Sequence, residues 1–392
     1  MAIHDNKRAV DEAKSDDMKP RVSFVIPCYK LGHFLAECVN SIIAQSFADF
    51  EILIMDDCSP DETPKVASLL ADARVRYFRN QNNIGPLRNY NKGIRLSSGE
   101  FVWLISADDR LRKPYILERY VGVMDDYPRV GYVFCPAVRL ENGAEGEVIP
   151  YSSRGSRNRI FSGHEFLTEL LVNGSTVTTP SAMVRRACYD NVSLFPEDLP
   201  WGGDWYLWCM FALHYDVGYI ADPMVNYRRH ALSMTDALVK TELRRCVESD
   251  IIVPFRVMKE VEKRGSVALV RACRRAIASQ YAQSLGGRKY RSSSSWHEYS
   301  ITPEMFEESL TSVARTHEEA AFIRAYAYSG AADLCYWQGN FRQALQFYDR
   351  ATQTGLFLPK VLAKALLLKW GSRGERLRSN LLALRRMTSG TK

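Results

Sequence analysis

The fold is decided by the stretch Phe50-Glu-Ile-Leu-Ile-Met55, which runs directly into Asp56-Asp57-Cys58-Ser59-Pro60-Asp61. A short apolar run bounded by turn-forming residues is typical of a buried strand. Similar runs occur at Val22-Ser-Phe-Val-Ile-Pro27, at Val75 to Phe78 and at Phe101-Val-Trp-Leu-Ile105. Because helical patterns separate these runs, the sequence predicts βαβ units and a mainly parallel sheet.

One helical pattern links the first two strands. Its apolar residues recur at three- and four-residue spacing, namely Leu31, Leu35, Cys38, Val39, Ile42 and Ile43. Such a stripe packs on a sheet. A second helix is predicted from about Leu87 to Leu96, so the region from Val22 to Cys135 predicts an α/β fold in which helices flank the sheet.

The pattern changes after Thr235, where long helical stretches follow one another. In this part, Gly339-Asn340-Phe341, Ala344 and Tyr348 match the middle of a tetratricopeptide-like hairpin. Because only one such unit is visible, we expect a single hairpin within a helical bundle and not a solenoid. The predicted organisation is a polar tail (1–20), an α/β domain (21–235) and an all-α C-terminal domain (236–392).

Composition bounds the class of protein. The chain has 392 residues, of which 46% are apolar and 25% charged, which indicates a globular protein and excludes collagen-like and disordered classes. The nine cysteines form no CxxC pair, which argues against a zinc site and favours a reducing compartment. No signal-peptide core or membrane-length apolar stretch is present, so we expect a cytoplasmic protein.

Positive charge is concentrated at one end of the chain. The net charge is +7, and residues 359–392 carry nine Lys or Arg against the single Glu375, a local +8. The rest of the chain is close to neutral, which argues against nucleic acid as a partner. The basic segment predicts contact with an anionic membrane, at its inner face, or with an acidic partner. The alternative is a solvated helix face.

Paired aspartates follow two of the predicted strands. Asp56 and Asp57 end one strand, and Ser106-Ala107-Asp108-Asp109 ends another. Carboxyl ends of parallel strands meet at one edge of a sheet, where converging carboxylates favour a divalent cation such as Mg²⁺ or Mn²⁺ and a phosphate-bearing substrate. For either pair taken alone, a capped, solvated loop is the alternative.

The order of these motifs resembles that of the family 2 glycosyltransferases, which have the GT-A fold. The matching pieces lie between Val22 and Thr235. They are Val22-Ser-Phe-Val-Ile-Pro-Cys-Tyr29, Ser41-Ile-Ile-Ala-Gln-Ser46, Phe50 to Ser59, Asn83-Ile-Gly-Pro-Leu-Arg-Asn89, Ser98-Gly-Glu-Phe101, Ala107-Asp-Asp109, Gly203-Asp-Trp-Tyr-Leu-Trp208 and Tyr227-Arg-Arg-His-Ala-Leu-Ser-Met-Thr235. Each piece is weak alone, but their order is specific. The resemblance implies a GT-A domain that takes a nucleoside-diphosphate sugar as donor.

The resemblance also implies roles for residues near the nucleotide. Asp57 would contact the base or ribose, and Asp56 would support its loop. Pro27 and Tyr29 would line the pocket. Arg88 resembles the family arginine that approaches the nucleotide, where a guanidinium can hold a phosphate or a base edge. For Arg88 the alternative is a surface salt bridge.

The second aspartate pair takes the place of the family's metal-binding Asp-x-Asp region. Asp109 would be the direct ligand and Asp108 would lie near the ribose, although the two roles are interchangeable. His230 would reach the metal or the diphosphate; its alternative is a structural hydrogen bond. Many members carry Asp where this chain has Ser106, which predicts a weaker but not abolished affinity for Mn²⁺ or Mg²⁺.

Asp204 is the candidate general base by the same resemblance. Trp201, Trp205 and Trp208 are near it in sequence, and their apolar surfaces would limit its hydration. An acceptor hydroxyl needs such a base in the transition state. The alternative is that Asp204 caps the helix that follows Gly203.

The resemblance implies an inverting, single-displacement transfer of a sugar. The family most often uses a uridine diphosphate sugar as the donor, so we expect one here. The expected acceptor is a glycan or lipid-linked glycan in the synthesis of cell-surface polysaccharide or glycoconjugate. Ser106 supports the main alternative, a catalytically degenerate scaffold that binds nucleotide sugars and acts through its helical domain. A nucleotidyltransferase is less well supported, since no Gly-rich basic loop follows the first strand.

Overall fold

The computed structural model describes residues 19–356 and 358–371. Most of the predicted tail (1–20) and the part of the basic segment beyond Gly371 therefore lie outside the described residues. The chain divides into two compact units between Ser233 and Met234, two residues before the boundary expected from the sequence.

A mixed sheet forms the centre of the N-terminal unit. The strands of this unit are β1 (Val22–Cys28), β2 (Phe50–Asp56), β3 (Val75–Arg79), β4 (Phe101–Leu104), β5 (Arg110–Leu111), β6 (Val130–Phe134), β7 (Ala137–Glu141), β8 (Ala144–Val148), β9 (Arg159–Phe161), β10 (Ala182–Arg185), β11 (Asp216–Tyr219) and β12 (Val225–Arg228). Eight of them pair in the order β3-β2-β1-β4-β10-β6-β11-β9. β1 is parallel to β2 and β4, and β2 is parallel to β3. The predicted mainly parallel sheet is confirmed, with β10 as an antiparallel member between β4 and β6.

A second, smaller sheet has the order β5-β12-β7-β8. β12 is parallel to β7 and antiparallel to β5, with Asn226 opposite Arg110. Since β5 begins directly after Asp109, this pairing places the end of β12 beside the second aspartate pair.

Helices cover the sheet of the N-terminal unit. They are α1 (Gly32–Ile43), α2 (Thr63–Ser68), α3 (Pro86–Leu96), α4 (Ile116–Asp126), α5 (Gly163–Asn173), α6 (Arg186–Asn191) and α7 (Gly203–His214), with 3₁₀ turns at Pro150–Ser152 and Thr179–Ser181. The predicted stripe of α1 packs in the core with β1 and β2, where Leu35, Cys38 and Ile42 are buried. Burial of an aliphatic side chain such as Leu35 or Ile42 stabilises the folded state by about 1.5–3 kcal/mol.

The C-terminal unit is mainly helical. Its elements are α8 (Met234–Thr241), α9 (Leu243–Glu262), α10 (Val267–Leu285), β13 (Arg288–Arg291), β14 (Trp296–Tyr299), α11 (Pro303–Val313), α12 (His317–Trp337), α13 (Phe341–Thr352) and α14 (Pro359–Lys369). The two strands pair as a hairpin around the Ser-rich loop, an addition to the predicted helices. α12 and α13 pack together, and Gly339, with φ +79°, lies in the turn that joins them. Within the described ranges, no helix is long and apolar enough to cross a bilayer.

Candidate active site

The loops that follow β2, β1 and β4 lie side by side at the carboxyl edge of the sheet. The backbone N–H of Asp57 donates to the carbonyl of Cys28 over 2.9 Å, and that of Ala107 donates to the carbonyl of Pro27 over 3.2 Å. Because the three strands are neighbours and parallel, the two aspartate pairs and Pro27 converge on one edge, as the sequence predicts.

Asp56 is fully buried, and both of its carboxylate oxygens accept hydrogen bonds from protein donors. Oδ2 accepts from the Tyr77 hydroxyl over 2.5 Å and from Nη1 of Arg79 over 2.6 Å. Oδ1 accepts from the backbone N–H of Ser59 over 2.8 Å. Asp56 therefore ties β3 and the loop after β2 to the end of its own strand, which leaves ligand contact to its neighbours.

Asp57 organises the start of α3. Its Oδ1 accepts from Nδ2 of Asn80 over 2.8 Å and from the N–H of Ile84 over 2.9 Å, and its Oδ2 accepts from the N–H of Gly85 over 2.9 Å. Gly85 has φ +85°, a conformation that glycine adopts at low cost. Tyr29 directly follows Cys28, whose carbonyl accepts from the N–H of Asp57, and it is 41% exposed, so its ring is accessible to a ligand.

Arg88 lies on the outside of α3 and forms an ion pair. Its Nε donates to Oε2 of Glu197 over 2.7 Å, and the two side chains are 64% and 47% exposed. An exposed pair of this kind contributes about 0–1 kcal/mol. In this structure Arg88 therefore forms the surface salt bridge that was the alternative to nucleotide binding. A nucleotide would have to compete with Glu197 for the guanidinium.

The second aspartate pair has a different environment. Oδ2 of Asp108 lies 2.8 Å from Nε2 of His230. Oδ1 of Asp108 is buried and has no hydrogen-bond partner among the described residues. Oδ1 of Asp109 accepts from the backbone N–H of Arg228 over 2.8 Å. Burial, and then the charge of Asp108, raise the pKa of Asp109 well above its usual range.

Arg228 frames this pair, and sequence reasoning gave it no role of its own. Its side chain is only 6% exposed. Nε donates to the backbone carbonyl of Asp108 over 2.6 Å, and Nη2 donates to Glu37 over 2.5 Å. The guanidinium lies over the ring of Phe34 at 4.3 Å, and that ring is 5.2 Å from the ring of His230. The sequence signal that could have identified Arg228 is its position two residues before His230, at the end of β12.

The donor set at Asp108 and Asp109 fits a hard divalent cation. A carboxylate oxygen that is buried without a partner is costly unless something binds it. Within the described part of the chain, however, no three Cys, His, Asp or Glu side chains gather closely enough to hold an ion by themselves. Mg²⁺ and Mn²⁺ commonly take one or two carboxylates and fill other positions with substrate phosphate, which is the arrangement these residues suit.

Asp204 lies in the first turn of α7, where the cap residue is Gly202. Its Oδ2 accepts from the hydroxyl of Thr179 over 3.4 Å, and its Oδ1 accepts from the N–H of Trp205 over 2.7 Å. The ring of Trp205 is buried and donates to the carbonyl of Leu170 over 3.1 Å. The sequence predicted that tryptophan rings limit the hydration of Asp204. The ring of Trp205 does not do so, because it packs in the core.

Tyr90 is a further titratable residue of the N-terminal unit. It lies on α3, with its ring 5.5 Å from that of Phe195. Burial raises the pKa of its hydroxyl, and the charges of Asp108, Asp109 and Asp204 raise it further. The sequence contained no separate signal for Tyr90.

Comparison with known sequences agrees with this geometry. Residues 23–192 match the model of a family described as glycosyl transferase family 2. An uncharacterized glycosyltransferase of Rickettsia typhi is 24% identical over 225 residues, which cover 57% of this chain and 68% of that protein. Glycosyltransferase GlyG of Streptococcus pneumoniae is 32% identical over 110 residues, which cover 28% of this chain and 36% of that protein. The matched part of the chain thus spans about a third of the length of the second relative.

Among solved structures, residues 1–349 of S. aureus TarS in complex with UDP-GlcNAc are similar, with a TM-score of 0.55 and 16% identity. The match covers 90% of this chain and 88% of that one. At this identity the likeness shows the fold alone, which is that of a mixed α/β domain followed by a helical region.

Proposed function

We propose that this chain, of which residues 23–192 match the model of glycosyl transferase family 2, transfers a sugar, with inversion, from a nucleoside-diphosphate sugar to an acceptor hydroxyl. We further propose uridine diphosphate as the carrier, because the similar TarS structure holds UDP-GlcNAc. The acceptor we propose is a glycan or lipid-linked glycan.

One observation carries this proposal: the buried oxygen of Asp108 that has no partner, beside an Asp109 whose pKa burial raises. Two adjacent carboxylates at a dry sheet edge repel each other unless a cation or a proton compensates them. A divalent ion held by Asp108 and Asp109, with His230 nearby, would supply positive charge for a departing diphosphate. Arg228 keeps both carboxylates in place while the donor binds.

The protein's own residues account for the proton. Asp204 accepts the proton of the acceptor hydroxyl, whose oxygen forms a bond to the anomeric carbon. The bond from that carbon to the diphosphate oxygen breaks, and the electron pair leaves with the diphosphate. Asp57, Pro27 and Tyr29 bind the nucleoside end of the donor, with Asp57 also fixing the loop at Ile84 and Gly85. This division places nucleophile activation and leaving-group binding on different elements.

The site of action is part of the proposal. We propose that residues 359–392 bring the protein to an anionic membrane surface where lipid-linked acceptors occur. Within the described residues, Leu362 and Leu366 of α14 are exposed. Lys364 and Lys369 of the same helix are paired with Asp333 and Asp349, which reduces the charge that α14 itself offers to lipid.

Ser106 favours a second candidate function, a nucleotide-sugar-binding scaffold without catalysis. A hydroxyl cannot replace the charge of a missing carboxylate. This candidate predicts donor binding without transfer or donor hydrolysis.

A screen of nucleotide sugars with Mn²⁺ separates the two candidates. Thermal shift and donor hydrolysis would be measured on the wild type, Asp109→Ala and Asp204→Asn, with Asp190→Asn on the exposed side of α6 as a matched control. The proposal expects metal-dependent stabilisation that Asp109→Ala loses, and hydrolysis that Asp204→Asn loses. Stabilisation and hydrolysis that both variants retain would contradict the assigned roles.

A further inference from the structure

The C-terminal unit contains a cleft of about 760 Å³. Its walls come from the end of α10, the segment that leads from β14 into α11, and the α12–α13 turn with one face of α13. Its volume is within the range of about 300–1,000 Å³ that is typical of ligand sites. No residue of this cleft has a part in the reaction described above.

The charges in the cleft are already compensated within the unit. Asp349 pairs with Lys369 over 2.8 Å. Glu298 lies 3.7 Å from Lys289, and Arg350 lies 3.9 Å from Glu304. These pairs are exposed and contribute only about 0–1 kcal/mol each, so a charged ligand would compete with them, whereas an uncharged ligand leaves them in place. The cleft is better suited to an uncharged ligand.

Amide side chains supply most of the remaining polar groups. Gln343, Gln346, Phe347 and Arg350 lie on one face of α13, at the three- and four-residue spacing that aligns helical neighbours. Gln346 is exposed and makes no hydrogen bond to any described residue. Asn340 donates to Oε1 of Gln343 over 2.7 Å, which leaves the amide nitrogen of Gln343 available to a ligand.

Amides of this kind match the chemistry of sugar hydroxyls. A primary amide offers two donors and an acceptor in one plane, and a sugar hydroxyl is also both donor and acceptor. Phe347 adds an apolar wall, since it is almost fully buried beside these amides. An uncharged, hydroxyl-rich ligand would offer hydrogen-bond partners to the amides of Gln343 and Gln346 without breaking an ion pair.

We propose that this cleft binds an uncharged oligosaccharide, which is the acceptor or product glycan of the enzyme. The assignment of that glycan as acceptor or product rests on the proposed transfer reaction; the binding itself does not. The C-terminal unit would then be a glycan-binding unit on the same chain as the transferase.

The test is a binding titration of the full chain with four uncharged probes, the hexasaccharides of glucose, mannose, galactose and N-acetylglucosamine. Gln346→Ala and Gln343→Ala remove amides from the cleft. Gln353→Ala is the matched control, because Gln353 is exposed near the end of the same helix and lies outside the cleft. Thermal shift by uridine diphosphate with Mn²⁺ is measured on the same samples.

We expect at least one probe to bind, with a dissociation constant that rises about tenfold in Gln346→Ala and stays unchanged in Gln353→Ala. Failure of all four probes, or equal affinity in all variants, would overturn the inference. A response to uridine diphosphate without glycan binding would refute the cleft alone. Glycan binding without any nucleotide response would refute the transferase proposal and leave the cleft standing.

Discussion

The two aspartate pairs have the same sequence context and different surroundings. Both follow a strand of the parallel part of the sheet, and both are buried. Protein donors saturate Asp56, whereas one oxygen of Asp108 has no partner among the described residues. The comparison indicates that a buried carboxylate can bind a cation where the protein does not donate hydrogen bonds to all of its oxygens. Asp56 holds the loops, whereas the second pair is left to bind a cation.

The largest expected effect is on catalysis by the second pair. Asp109→Asn should lower the rate of sugar transfer by about 10²–10³-fold, because it weakens the hold on the divalent cation whose positive charge would stabilise the departing diphosphate. The raised pKa of Asp109 means that folding disfavours its charged form, so the neutral Asn should not lower the melting temperature. Steady-state kinetics and a thermal scan check both parts. A variant that keeps full activity would contradict the role of Asp109.

The next expected effect is on stability, and it comes from removing Asp56 as a hydrogen-bond acceptor. Asp56→Ala should lower the free energy of unfolding by about 3 kcal/mol, since it leaves Arg79, Tyr77 and the Ser59 N–H without their acceptor. Denaturant unfolding measures this, with Asp190→Ala as the surface control. If Asp56→Ala were as stable as that control, the structural role of the first pair would be wrong.

Arg228→Lys tests what holds the second pair in place. Lysine cannot donate to both the Asp108 carbonyl and Glu37 in the geometry of a guanidinium. The KM for the donor should rise about tenfold while kcat changes less, because donor binding depends on the position of the carboxylates. Exposed Arg129, which pairs with Asp216 at the surface, gives the matched Arg→Lys control. An unchanged KM would show that Arg228 supports the fold only.

Glu51 extends the comparison to a buried carboxylate outside the two pairs. Burial opposes its charge, but hydrogen bonds from Ser98, Ser23 and Arg76 outweigh that effect and lower its pKa. Its ionised form therefore stabilises the fold above the ordinary carboxylate pKa of 4.5, and this stability is lost as the pH falls through the lowered value. Glu51→Gln should therefore reduce the loss of stability on acidification. Unfolding measured across acid pH checks it, and an unchanged pH profile would contradict the assignment.

Much of the core could be predicted because its signals are local. The apolar runs of β1, β2 and β4 and the stripe of α1 each identify an element without help from the rest of the chain. The convergence of the aspartate pairs followed from the rule for parallel strands. The sheet that contains β5 and β12 was not predicted, because β5 has two residues and its partner lies more than a hundred residues further along.

The sequence nominated candidate residues for the site, but it did not indicate their environment. Sequence order brought Asp108, Asp109 and His230 to attention, but the donors of a carboxylate come from other elements. Tyr77 and Arg79 saturate Asp56 from β3, and nothing near Asp56 in sequence indicates this. The same holds for Arg228, whose bond to the Asp108 carbonyl depends on the register of β12.

The most direct test of the account is a calorimetric titration with uridine diphosphate, with Mn²⁺ and with a chelator, for the wild type, Asp109→Asn and Asp57→Asn. The account predicts that Mn²⁺ strengthens binding to the wild type and that Asp109→Asn loses this increment. Asp57→Asn should weaken binding while the increment from Mn²⁺ persists. An increment that Asp109→Asn retains, or that the wild type lacks, would contradict the claim that the second aspartate pair is the metal site.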